Sequence, residues 1–237
     1  MKKSIFCTML TAMFLLVGWS AFAQPAQGTL KLEIIEATSD NPQMAAGLEM
    51  MKGTITEVMY QDGQSITKMN MMGGMVEVDV KMGKEGNMDM LMNAMGNKMW
   101  IQASKTDLDL AQAENDSPLA DLDFEYDESD RKEIAGFDCF KMIATAPGSD
   151  EFKLEAYITE DIKINAAVMQ GIDITEFRGF PMEYIFDAGM MKMTVSTTEF
   201  SDEVAEGAFE LDTNGYTKMS YEEFLNSMGQ MGGGMGF

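Results

Sequence analysis

The feature that most constrains this chain is an alternation of period two. Val76, Val78, Val80 and Met82 alternate with Glu77, Asp79 and Lys81, so an extended segment puts four apolar side chains on one face and three charges on the other. Leu30, Leu32 and Ile34 alternate with Lys31 and Glu33 in the same way. Residues 54–60 and 65–71 flank Gln61-Asp62-Gly63-Gln64, where Asp-Gly suits a type I′ hairpin turn. A Gly73-Gly74 turn, the strand at 76–82, a turn at 83–87 and strands at 88–92 and 98–102, joined around Gly96-Asn97, follow. Further strands at 137–144 and 152–159 flank Pro147-Gly148-Ser149, and those at 180–186 and 190–197 flank Asp187-Ala188-Gly189. Residues 107–130 hold ten acids and no base, which predicts a short surface helix or loop. Residues 160–176 fit a helix or an irregular linker, and 220–228 a short terminal helix. About nine to eleven strands in regular order predict a mainly β fold: a single curved antiparallel sheet or unclosed half-barrel with short helices over one side.

The first 23 residues have the form of an export signal. Lys2 and Lys3 precede an apolar run from Ile5 to Val17, and Ala21-Phe22-Ala23 gives a small-residue cleavage site before Gln24. The run is shorter than the roughly 20 residues of a spanning helix, and no later segment qualifies. No Cys near Gln24 offers a site for lipid attachment. The expected organisation is therefore a signal peptide at 1–23, one exported β-rich domain at 24–228, and a disordered Gly/Met tail at 229–237. The expected product is a soluble monomer in the periplasm or outside the cell, without a transmembrane span.

Removing the signal leaves 15 basic against 39 acidic residues, a net charge of −24. Nucleic acid and anionic membrane faces would be repelled. Cys139 becomes the sole thiol, so no intramolecular disulfide can form. Its neighbours Phe137, Phe140, Met142 and Ile143 predict a buried, inert side chain rather than a reactive one. The chain has no His, which removes His-based triads, His-ligated metals and the usual general base near neutral pH. With no Gly-rich phosphate loop, zinc-ligand spacing or G-x-S-x-G elbow either, no enzyme and no cofactor is expected.

Methionine is the anomaly, at 27 of 237 residues, 14 of them between Met44 and Met99. On a strand, Met88, Met90 and Met92 would project from one face at about 6.6 Å intervals, and soft thioether sulfur suits Cu(I). Those three are the metal candidates. The competing explanation, favoured because copper sites usually add His or Cys, is that flexible Met fills a core or lines an adaptable apolar groove. Val76, Val78, Val80, Met82 and Met99 are the corresponding ligand-cavity candidates. Oxidant scavenging through reversible sulfoxide formation is a third reading.

Two acidic patterns point elsewhere without convincing. Asp121, Asp123, Glu125 and Asp127 alternate with Leu122, Phe124 and Tyr126; such a ladder suits a solvated strand face better than a Ca²⁺ site. Residues 210–224 imitate an EF-hand loop, with Gly215 at the sixth position and Asp212 and Asn214 at the third and fifth. However, Glu210 stands first and Tyr221 twelfth, so the bidentate glutamate arrives one residue late.

Lys132-Glu-Ile-Ala-Gly-Phe-Asp-Cys-Phe-Lys141, Tyr157-Ile-Thr-Glu-Asp161, Arg178-Gly-Phe-Pro-Met182 and the segment Phe209 to Met219 together resemble a Met-rich exported family of Bacteroidota. That family carries a domain of unknown function and is related to the family named for a Gly-Leu-Pro-Gly-Leu-Ile motif. Asp212 and Thr213 stand where its closing motif has proline. The resemblance implies a fold like the LolA and LolB lipoprotein carriers, an unclosed curved barrel with helices over its mouth and an apolar cavity. It carries over no catalytic residue, and it makes the EF-hand imitation an accident of the closing Gly-Tyr strand. The leading expectation is a non-enzymatic protein binding an apolar ligand, a lipid or lipoprotein acyl chain. The alternatives are a Met-based Cu(I)-binding or oxidant-scavenging protein and a structural or interaction module of the envelope.

Overall fold

Tight turns with the backbone twist of antiparallel hairpins set the architecture. Asp62 and Gly63 take φ of 54° and 77°, the pair of left-handed conformations a type I′ turn needs, and they join β2 (Ile55–Gln61) to β3 (Gln64–Met71). Met95 and Gly96, at 52° and 88°, do the same between β5 (Met88–Ala94) and β6 (Asn97–Ala103), so this turn lies one residue before the predicted Gly96-Asn97. The computed structural model describes residues 25–113, 122–147, 152–164 and 177–232. The predicted signal at 1–23, the turn at Gly148-Ser149, most of the ambiguous 160–176 segment and the last five residues lie outside the described residues.

The other strands are β1 (Gln27–Ser39), β4 (Val76–Met82), β7 (Asp123–Ile134), β8 (Phe137–Thr145), β9 (Lys153–Thr159), β10 (Phe180–Asp187), β11 (Met191–Ser201) and β12 (Thr217–Ser220). They form one 12-stranded open sheet in the order β12-β6-β5-β4-β3-β2-β1-β11-β10-β9-β8-β7. The pairings are antiparallel except β12 with β6, which is parallel. The mainly β class and the single unclosed sheet are as the alternation predicts.

Two predicted elements need correction, and one strand was not predicted. Of residues 107–130, 107–113 belong to a helix, α2 (Lys105–Ala113), as the surface-helix reading allowed, and 114–121 lie outside the described residues. Residues 123–130 belong to the long edge strand β7, as the solvated-ladder reading of Asp121 to Asp127 allowed and the helix-or-loop reading did not. The acids misled because β7 is an edge strand: Asp123, Glu125 and Asp127 face solvent while Phe124 and Tyr126 are half-buried against the core. Charge along an edge also deters pairing with another chain. A bulge between Asp127 and Arg131 breaks the register there, and Asp127 Oδ1 accepts bonds from the backbone N–H of Ser129 at 2.9 Å and Asp130 at 3.3 Å. Strand β12, absent from the expectation, is too short and polar to show a period. The terminal helix α3 (Tyr221–Gly232) continues past the predicted end at 228 into the segment expected to be disordered.

The main core lies against β1, β2 and β7–β11, with Leu30, Leu32, Val58, Met142, Leu154, Ala156, Ile158 and Met182 each at most 2% exposed. Helix α1 (Pro42–Glu49) adds Leu48 to it. Asn41 caps that helix by accepting from the Gln43 N–H at 3.0 Å, and Pro42 occupies the first turn, where a missing N–H costs nothing. Cys139 is fully buried in this core, and burial, ahead of the neighbouring Asp138 charge, pushes its thiol up to about 12, so it stays protonated and unreactive.

After β11 the chain crosses the other face of the sheet. Val204, Ala208, Phe209 and Leu211 pack on Met59 and Ile66, and Lys81 Nζ donates to the Phe209 carbonyl at 2.8 Å. This crossing carries the chain to the far edge, where β12 can add to β6. In the region that imitates an EF-hand, Asp212 Oδ1 is taken by the Asn214 N–H at 3.0 Å. The Glu223 carboxylate, meanwhile, accepts from Ser220 at the start of α3.

Candidate functional site

Cross-strand register gathers the methionines onto the core-facing side of β3–β6. Val78 stands opposite Met69 on β3 and Met92 on β5; Val80 stands opposite Met90, and Met82 opposite Met88. On β6, Met99 pairs with Met92 and Ile101 with Met90. The result is an apolar surface in which Val78, Val80, Met90 and Ile101 are buried. Met69, Met71, Val76, Met82, Met88, Met92, Met99 and Met219 are only partly covered. All five cavity candidates and all three metal candidates therefore belong to one surface, which sequence reasoning had treated as two alternatives.

That arrangement bears on the metal candidates. Met88, Met90 and Met92 do share a face, but the first and last are four residues apart on a strand, about 13 Å. Met90 sits between Val80 and Ile101 at 9% exposure. Three thioethers so spaced line a surface better than they surround one ion.

Among the described residues, the cover over this half comes from the C-terminal helix. Helix α3 contributes Tyr221 and Phe224, themselves half-buried and stacked with ring centroids 6.4 Å apart. Its start is fixed by a capping box in which the Ser220 N–H donates to the Glu223 carboxylate at 2.8 Å and the Glu223 N–H donates back to Ser220 Oγ at 3.2 Å. The pairing of Ser220 with Glu223 was legible in the sequence as a helix start. The docking of Tyr221 and Phe224 on methionines more than 100 residues earlier was not, because nothing local encodes a parallel edge strand.

Two hydroxyls interrupt the apolar surroundings. Tyr60 Oη and Thr67 Oγ1 are buried, and among the described residues neither has a hydrogen-bond partner. Leaving such a group unpaired costs about 1–3 kcal/mol. Burial pushes the Tyr60 phenol up to about 12, so it remains a neutral donor. Its ring lies across Gly28, where a Cβ would come within 3.0 Å of Tyr60 Oη and 2.6 Å of Phe200; only glycine allows that approach.

The opposite face carries a polar cleft of about 500 Å³ lined in part by Glu57, Lys68, Glu77, Asp79, Leu91 and Tyr216. Burial raises the Asp79 carboxyl above its ordinary value, partly opposed by Lys68 and reinforced by Glu77. Among the described residues, no group of three or more His, Cys, Asp or Glu side chains is placed to hold a metal ion. No helix among them is long and apolar enough to cross a membrane.

The fold and this surface define a class, a mainly β protein with one open antiparallel sheet whose methionine-lined face is incompletely covered. No protein-family model matches the chain, and no curated protein matches it. Among solved structures it is similar to the Mycobacterium tuberculosis lipoprotein LppX, with a TM-score of 0.36 and 10% identity over 84% of this chain and 98% of that one. It is also similar to a DUF1329 family protein from Desulfovibrio piger, with a TM-score of 0.35 and 8% identity over 78% and 90%. A putative outer membrane lipoprotein-sorting protein domain from Vibrio parahaemolyticus gives 0.32 and 8% over 78% and 89%. No site residue carries over from any of them.

Proposed function

We propose that the protein binds an apolar ligand, the acyl chain of a lipid or lipoprotein, against the methionine-lined face of its sheet, and performs no catalysis. One observation carries this reading: around four buried residues, ten apolar side chains are left only partly covered. Unbranched thioether side chains can repack around chains of varied shape. The unpaired hydroxyls of Tyr60 and Thr67 add hydrogen-bonding capacity beside an otherwise apolar lining. The periplasm or the cell exterior is the proposed location, resting on the export signal read at residues 1–23.

A fluorescent acyl probe tests the reading. The purified protein should bind it with saturation, and a free fatty acid should displace it. Met92→Lys, which places a charge on the half-covered surface, should weaken binding at least ten-fold while leaving the far-ultraviolet circular dichroism unchanged. An unsaturable signal, or equal binding by the folded variant, would overturn the assignment.

A further inference from the structure

A second group of methionines stands at one end of the sheet, outside the surface just assigned. The turn from β3 to β4 is Met72-Gly73-Gly74-Met75, and the turn from β5 to β6 is Met95-Gly96. Because Val76 pairs with both Met71 and Ala94, the two turns are neighbours. The Met95 N–H donates to the Met75 carbonyl at 2.8 Å and ties them together. Asn93 braces the second turn: its Oδ1 accepts from the Gly96 N–H at 3.1 Å, and its Nδ2 donates to Glu77 on β4 at 3.0 Å. Three thioethers, those of Met72, Met75 and Met95, are therefore carried by one fixed backbone platform.

Two features of this platform are costly without a role for the side chains. Met72 and Met95 occupy left-handed conformations, with φ of 54° and 52°, which disfavour side chains other than Asn and Asp by roughly 1–2 kcal/mol. The equivalent turn at the other end of the sheet uses the favourable pair, Asp62-Gly63. Met75, whose φ of −73° is ordinary, and Met95 are also exposed, Met95 at 80%, so at Met95 neither the strain nor the solvation of the side chain is offset by burial.

We propose that Met72, Met75 and Met95 form a surface site for a soft monovalent cation, Cu(I). Thioether sulfur is a neutral, soft donor that discriminates against hard cations and suits Cu(I). Each side chain has three rotatable bonds, so sulfurs from adjacent backbones can converge on one ion. Net charge of −22 over the whole chain raises the local concentration of any cation at the surface. No change of oxidation state is involved; the ion is bound and released as Cu(I).

Anaerobic competition between the purified protein and bicinchoninate for Cu(I) tests this, with binding read from loss of the coloured chelate. The wild type should withdraw one equivalent. The triple variant Met72→Leu, Met75→Leu, Met95→Leu should withdraw at least ten-fold less at equal concentration, whereas Met88→Leu, Met90→Leu, Met92→Leu should compete within two-fold of wild type. Circular dichroism on the turn variant separates loss of ligands from loss of fold; if it does not fold, Met75→Leu alone, at a position of ordinary φ, serves instead. Absence of competition by the wild type, or full competition by the folded turn variant, overturns the site. Either result leaves acyl-probe binding untouched, so failure here and failure of the acyl-chain reading are distinguishable.

Discussion

At the residue scale, side chains that break a local preference are the informative ones. Met95 holds a left-handed position that Asn fills at lower cost, so Met95→Asn should stabilise the fold by about 1 kcal/mol. That would show as a rise of a few degrees in the thermal midpoint, alongside weaker Cu(I) competition; a lowered midpoint would mean the methionine side chain contributes packing instead. Asp79 offers a pH-dependent case. Its carboxyl is raised by burial on the outer face, so the folded state holds its proton more tightly than the unfolded chain, and ionisation at neutral pH opposes folding. Asp79→Asn should therefore unfold at higher denaturant than wild type at pH 7. The advantage should shrink as pH falls through the raised folded value and vanish below the unfolded value near 3.8. A difference independent of pH would mean that the stability change does not come from ionisation.

At the scale of elements, legibility in the sequence followed the range of the interactions. Strand β4 was legible from Val76, Val78, Val80 and Met82 because alternation is a property of the segment itself, and the β2–β3 turn because Asp62 and Gly63 carry their own backbone preferences. Strand β7 was only half legible: the alternation of Asp123, Glu125 and Asp127 with Phe124 and Tyr126 suits a solvated strand face, but the run of acids around it also fits a surface helix or loop, because the acids describe an edge exposed to water. Strand β12 and the seat of α3 depend on β6, far away in sequence, and no local pattern reports them. Of the candidate site, Val76 to Met82 and Met88 to Met92 could be read. Met219, Tyr221 and Phe224 could not, since their contacts exist only once β12 has added to the sheet. The capping box gives this seat a test: Ser220→Ala removes the hydroxyl that accepts from the Glu223 N–H and should cost about 1 kcal/mol. Hydrogen exchange should rise in α3 first. Uniform change across the sheet would show that α3 unfolds only with the whole molecule.

At the scale of the whole molecule, the sheet separates its chemistry by face and end. One face carries the continuous apolar core and, toward β3–β6, the incompletely covered methionines. The other carries the crossing segment 202–216, the polar cleft and exposed ion pairs such as Lys31 with Glu199 at 2.6 Å; exposed pairs of this kind add little stability individually. Exposed thioethers gather at the turn end. An open sheet of this kind without a ligand leaves apolar surface partly wet, a free-energy cost of about 25 cal/mol per Å² that a bound acyl chain would remove. Native mass spectrometry of the protein, purified from its own cells without detergent, reads this directly. The expected result is a population heavier than the polypeptide by the mass of one acyl-bearing molecule, lost on organic extraction and restored by adding fatty acid. A single ligand-free mass that fatty acid does not shift would contradict it.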